Sequence, residues 1–130
     1  MKYYVDACVW LDYFEDRKDN LKPLGDFAFQ FFKKCLKKHD KILFSKMVVF
    51  ELKNNGLDFF QVSKDFDLII EEVFPSKNDL NKIKQFSVEK QIPFGDAFHY
   101  ILSKTNNAVL VSRDSHLLSF DETRFPEELI

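Results

Sequence analysis

Asp6 directly follows the short apolar run Tyr3-Tyr4-Val5, and Asp114 follows Ala108–Val111 after two residues. Asp96 opens a helical pattern behind Pro93 and Gly95, and Glu51 lies about five residues into another. With twenty-one Asp and Glu in 130 residues, the number of acids says little and their positions decide. Carboxylates gathered in one cleft cannot all stay ionised without compensation, because like charges a few ångströms apart repel. Hard oxygen ligands that leave room for waters suit Mg²⁺ or Mn²⁺, and no neighbouring His or Cys pair favours zinc. Such an ion polarises a phosphoryl oxygen and lowers the pKa of a water, and two ions clamp attacking and leaving oxygens in line. The chemistry that follows is phosphodiester hydrolysis.

The elements that must position these acids alternate. Strands are expected at Tyr3–Val5, Ile42–Phe44, Leu68–Phe74 (read as a buried strand) and Ala108–Val111. Helices are expected from Cys8 to about Glu15, over Leu24–Lys38 and Met47–Asn55, and as a short one over Leu57–Asp65. Others follow over Leu80–Lys90, from Pro93 to about Lys104, and around Ser115–Phe120. This alternation predicts an α/β fold, a three-layer α/β/α sandwich with a central parallel sheet, in one domain over residues 1–130. In such a sheet the ligand crevice lies outside the carboxyl ends of the strands, which is where Asp6 and Asp114 stand. The helix carrying Asp96 precedes the last strand and runs antiparallel to it, so its start reaches the same edge. Glu51 sits roughly 7–8 Å down its helix axis, within reach of that edge for a long side chain.

Composition excludes several other classes. Apolar residues are 45% and charged residues 31%, as in a folded globule. Only three Gly and four Pro argue against a turn-rich β-sandwich. The net charge of −2 is not that of a polycation, so any nucleic-acid role needs a local patch or bound metal. Cys8 and Cys35 make neither a disulfide framework nor a zinc site. No signal-peptide pattern and no apolar run of membrane-spanning length is present, so a cytoplasmic protein is expected.

Simpler roles exist for each residue. Asp6, Asp96 and Asp114 could cap the helices beside them, and Glu51 could be a solvated helix residue. Four acids arriving at one sheet edge weigh against that reading. His99 and His116 are expected at the surface or behind the acids, Asp12, Glu15 and Asp16 as solvated charges, and Cys35 in the core. Lys33, Lys34, Lys37, Lys38, Lys41 and Lys46 form the densest basic run, read first as a solubilising surface and second as a phosphate-tracking patch. Arg113, beside Asp114, is the basic residue expected to touch a scissile phosphate, with Lys46 as a second substrate contact.

The residues Tyr3 through Leu11, Ser45 through Glu51, Gly95 through Tyr100 and Val109 through Asp114, with the ending Phe125 through Leu129, resemble PIN-domain ribonucleases. The resemblance is closest to VapC-type toxins of toxin–antitoxin pairs. It implies a parallel α/β/α sandwich and a metal-binding, catalytic quartet of Asp6, Glu51, Asp96 and Asp114. It further implies Mg²⁺- or Mn²⁺-dependent RNA cleavage, a cognate antitoxin and a homodimer. Cys8 stands where Ser, Thr or Asn is frequent, and Ser112 where Thr is common. A PIN nuclease of ribosomal or transfer RNA maturation and a silent PIN scaffold are the alternatives. A phospho-receiver domain is disfavoured, because Asp6 is followed by Ala7 and Cys8 and the required Lys is missing.

Sixteen Phe are far above ordinary usage. Phe27, Phe29, Phe31 and Phe32 spread over roughly 200° of one helix, wider than the ~100° stripe a single core needs. Phe27 or Phe31 is therefore expected to be partly exposed and covered by a partner.

Overall fold

The computed structural model describes residues 1–120 and 122–130. Four parallel strands, β1 (Lys2–Val5), β2 (Lys41–Phe44), β3 (Ile70–Glu72) and β4 (Val109–Val111), form one sheet in the order β3-β2-β1-β4. Register pairs Tyr3 with both Ile42 and Val109, and Val5 with Val111. Asp6, Ser45 and Ser112, each the first residue past a strand, are thereby brought level at one edge. The strand order reverses at β1, so the crevice between β1 and β4 is the topological switch point where α/β sheets bind ligands.

Among the described residues seven α-helices surround the sheet: α1 (Ala7–Glu15), α2 (Leu24–Lys38), α3 (Lys46–Asn54), α4 (Phe59–Val62), α5 (Lys77–Lys90), α6 (Phe94–Thr105) and α7 (Ser115–Leu118). Successive strand residues point to opposite faces, and the tyrosines of β1 show which helices cover each. Tyr3 meets Phe31 of α2 edge-to-face at 5.2 Å, whereas Tyr4 meets His99 of α6. The sheet is therefore covered on both sides, as the alternation of elements requires. No helix among the described residues is long and apolar enough to cross a membrane.

One expectation is corrected here and another is narrowed. The stretch Leu68–Phe74 yields only the three-residue strand Ile70–Glu72, half-exposed at the sheet edge, with Leu68 and Phe74 exposed. An edge strand needs only one neighbour, and two glutamates on it suit water better than a core. Of Phe27 and Phe31, one of which is expected to be partly exposed, Phe31 is fully buried. The broad aromatic arc of α2 serves two layers, with Phe31 against β1 and Phe32 stacked on Trp10 of α1 at 4.2 Å. Phe27 is half-buried as expected, and Phe29 is the exposed member at 42%.

The tail returns to the sheet. Arg124 bridges to Val111 beside β4, and a 3-10 turn at Pro126–Leu129 packs on α2, where Lys34 Nζ donates to the Leu129 carbonyl at 3.1 Å.

Candidate metal centre

Asp6, Glu51, Asp96 and Asp114 line one open cleft of about 300 Å³, together with Ala7, Cys8, Leu11, Asn54 and Asn55. The sequence places all four acids at this edge, and the structure brings them together. Two trios subdivide the cleft: Asp6, Glu51 and His99, and Asp96, Asp114 and His116. Within each, one ligand atom per residue lies within 4.8 Å of the others.

Asp6 occupies the N-cap position of α1, yet its side chain caps nothing. Its Oδ2 instead accepts from Ser112 Oγ at 2.8 Å and from Cys8 Sγ at 3.6 Å, while Ser112 Oγ accepts from the Asp114 amide at 3.0 Å. One hydroxyl therefore joins the acids that end β1 and follow β4. Burial and the neighbouring Asp6 carboxylate push the Cys8 thiol well above its ordinary value, so Cys8 stays a neutral donor. Asp114 is a cap as well as a site residue, accepting from the His116 amide at 2.8 Å.

His99 departs from the surface alternative and takes the position behind the acids. It is fully buried, with Nε2 2.6 Å from Glu51 Oε1 and 3.4 Å from Asp6 Oδ1. Nδ1 is 2.8 Å from the Tyr4 hydroxyl, which is 2.6 Å from Ser45 Oγ. With Nε2–H donating to Glu51, the chain runs Ser45 to Tyr4 to His99 to Glu51 and every member is satisfied. Burial alone would lower the His99 imidazole, but Asp6, the bond to Glu51 and Asp96 outweigh it and hold it above its ordinary value. Glu51 reaches back from α3 as required, and its Oε2 passes close to Gly95, where an added Cβ would come within 2.9 Å. The missing side chain at Gly95 makes that approach possible.

Asp96, at the third position of α6, is buried, and its carboxyl is pushed up to about 6 by burial first and by Asp114 and Asp6 next. Its Oδ2 is shielded from solvent and accepts no hydrogen bond. A carboxylate oxygen that accepts no hydrogen bond, amid three other acids in a donor set dominated by oxygen, is what a hard divalent cation satisfies. The residues present therefore fit Mg²⁺ or Mn²⁺.

Arg113 does not face the cleft as a free cation. Its Nε is 3.2 Å from Asp12 Oδ2, and its two terminal nitrogens bond Glu127 at 3.1 and 2.5 Å. The guanidinium also lies 5.4 Å over the Phe125 ring. Asp12, expected to be solvated, is buried under this cluster. Both corrections have one cause, a tail that folds back over the Asp114 turn. Lys46 stands exposed at the first position of α3, and no lysine lines the cleft among the described residues.

Sequence reasoning missed Asn54, Asn55 and the Tyr4–Ser45 pair. Asn54 carried a signal, being three residues beyond Glu51 on one helix face. The hydroxyl chain carried none, since it joins residues 41 and 95 apart in sequence.

No protein-family model matches the sequence, and no curated protein matches it. Solved structures match the fold over nearly the whole chain. PAE2754 from Pyrobaculum aerophilum is 18% identical, with a TM-score of 0.67 over 99% of this chain and 92% of that one. VapBC2 from Rickettsia felis, bound to a DNA fragment from its promoter, is 15% identical at a TM-score of 0.67, covering 96% and 97%. VapBC-1 from nontypeable Haemophilus influenzae is 13% identical at 0.63, covering 97% and 98%. The fold is the one these solved structures share, a PIN-like α/β fold with a parallel sheet flanked by helices. In this fold the acidic cleft lies at the sheet's switch point.

Proposed function

We propose that this PIN domain is a divalent-metal-dependent endoribonuclease and the toxin of a toxin–antitoxin module. The carrying observation is that four carboxylates, spread from residue 6 to residue 114, line a single cleft. A cation bound there supplies Lewis-acid polarisation of a phosphoryl oxygen and a water of lowered pKa.

The chain's own residues divide the remaining work. Asp6, fixed by Ser112, and Asp114, fixed by its own cap, would hold the cation from the ends of β1 and β4. Asp96 adds its unpartnered oxygen. Glu51 is anchored at Oε1 by His99, which leaves Oε2 to orient a water and accept its proton. Lys46 meets the RNA backbone from the exposed start of α3. Arg113 is assigned no phosphate, since its charge is paired with Asp12 and its terminal nitrogens bond Glu127.

The partners proposed are RNA, a cognate antitoxin and a second copy of the chain, and the names of the two VapBC neighbours support the antitoxin. The test is cleavage of a labelled RNA by the purified protein with Mg²⁺ or Mn²⁺ and with chelator. Asp6→Asn is expected to lower cleavage by about 1,000-fold, or roughly 4 kcal/mol of transition-state stabilisation, with the fold retained. Equal cleavage by the variant would sink the assignment, and no cleavage by either protein would favour a silent scaffold.

A further inference from the structure

The second trio has a feature that acid–acid repulsion does not explain. His116 Nδ1 lies 3.1 Å from Asp96 Oδ2 and 3.2 Å from Asp114 Oδ1. Despite that proximity, Asp96 Oδ2 accepts no hydrogen bond, so a proton on Nδ1 would not point at it. Two ligand atoms at right angles around an ion, each at about 2.1 Å, stand about 3 Å apart and roughly 45° off each other's bond axis. A hydrogen bond fails at that angle, whereas shared coordination is satisfied by it. We propose that His116 Nδ1 is itself a ligand of the cation held by Asp96 and Asp114, making this end of the cleft prefer Mn²⁺ over Mg²⁺.

The imidazole is delivered by local structure. Asp114 caps α7 by accepting from the His116 amide, and this turn folds the His116 side chain back over its own cap. His116 is half-exposed, so its site is open to exchange. His99 differs, because both of its nitrogens are already engaged, by Glu51 and by Tyr4. Imidazole suits first-row transition ions, whereas Mg²⁺ prefers oxygen and water.

The inference rests on the reading of the cleft as a cation site, and its test is independent of RNA cleavage. Mn²⁺ is titrated into the metal-free full chain and followed by electron paramagnetic resonance, with pulsed measurements for coupling to a directly bound ¹⁴N. The wild type is expected to show that coupling. His116→Gln is expected to abolish it, to weaken Mn²⁺ binding about tenfold and to change Mg²⁺ competition much less. Circular dichroism checks that the variant is folded, and His116→Ala repeats the measurement without an amide. Mn²⁺ bound without ¹⁴N coupling, or coupling that persists in both variants, overturns the proposal and leaves the cation reading standing. No Mn²⁺ binding at all overturns both.

Discussion

The two trios of the cleft contain the same residue types, two carboxylates and one imidazole, yet they are built in opposite ways. Around Asp6, the imidazole of His99 is fully buried and belongs to a chain of hydrogen bonds that crosses β1, α3 and α6. Around Asp96, the imidazole of His116 is half-exposed, sits on a four-residue helix and leaves a carboxylate oxygen without a donor. One trio is part of the folded frame. The other lies open to what enters the cleft. A buried polar network stabilises only when every member is satisfied, so the first trio should resist substitution poorly and the second should tolerate it well.

Chemical denaturation of the metal-free protein tests this contrast. His99→Ala strands Glu51 and the Tyr4 hydroxyl and opens a cavity, and is expected to cost about 3 kcal/mol. Tyr4→Phe removes only the central hydroxyl and should cost about 1–2 kcal/mol, leaving Ser45 and His99 each short of a partner. A loss below the scatter of the measurement for either variant would end the claim that this trio supports the fold.

The pH dependence carries the next effect. The folded-state carboxyl of Asp96 is raised to about 6 from an ordinary value of 3.8, so its contribution is fully present below 3.8 and is lost as pH rises through 6. His99, also raised, acts in the same direction above its ordinary 6.5. The metal-free protein should therefore melt higher at pH 5 than at pH 7.5. Asp96→Asn should raise the pH 7.5 melting temperature by about 4 °C and flatten the profile. A melting temperature that climbs with pH over this range would contradict the repulsion assigned to the cleft. Smallest of all, His116→Ala should change stability by less than about 0.5 kcal/mol. A larger loss would make His116 a structural residue and erase the contrast.

The same division separates what the sequence made legible. Asp6 and Asp114 could be placed because an acid just past a short apolar strand lies at a known edge of a parallel sheet. Asp96 and Glu51 followed from helix direction and side-chain length. Local pattern could not tell which of Phe29 and Phe31 is buried, because α2 packs on both the sheet and α1 and its aromatic arc exceeds one stripe. The ion pairs of Arg113 were hidden for a related reason. This residue neighbours Asp114 in sequence, but its charge is met by Asp12, far back in the chain, and by Glu127 in the tail. Periodicity reports a residue's face, whereas ion-pair partners depend on which distant segments meet.

The bond from Ser112 to Asp6 spans 106 residues, and the strand it follows is the last of the sheet in chain order among the described residues. Contacts so distant in sequence form late, since the loop they close must be ordered first. During synthesis, β1, β2 and β3 can pair while β4 is still unmade, but Asp6 has no Ser112 to hold it and no Asp114 beside it. The cleft thus waits on the C-terminal part of the chain. A truncated chain would carry most of the sheet and none of the completed centre.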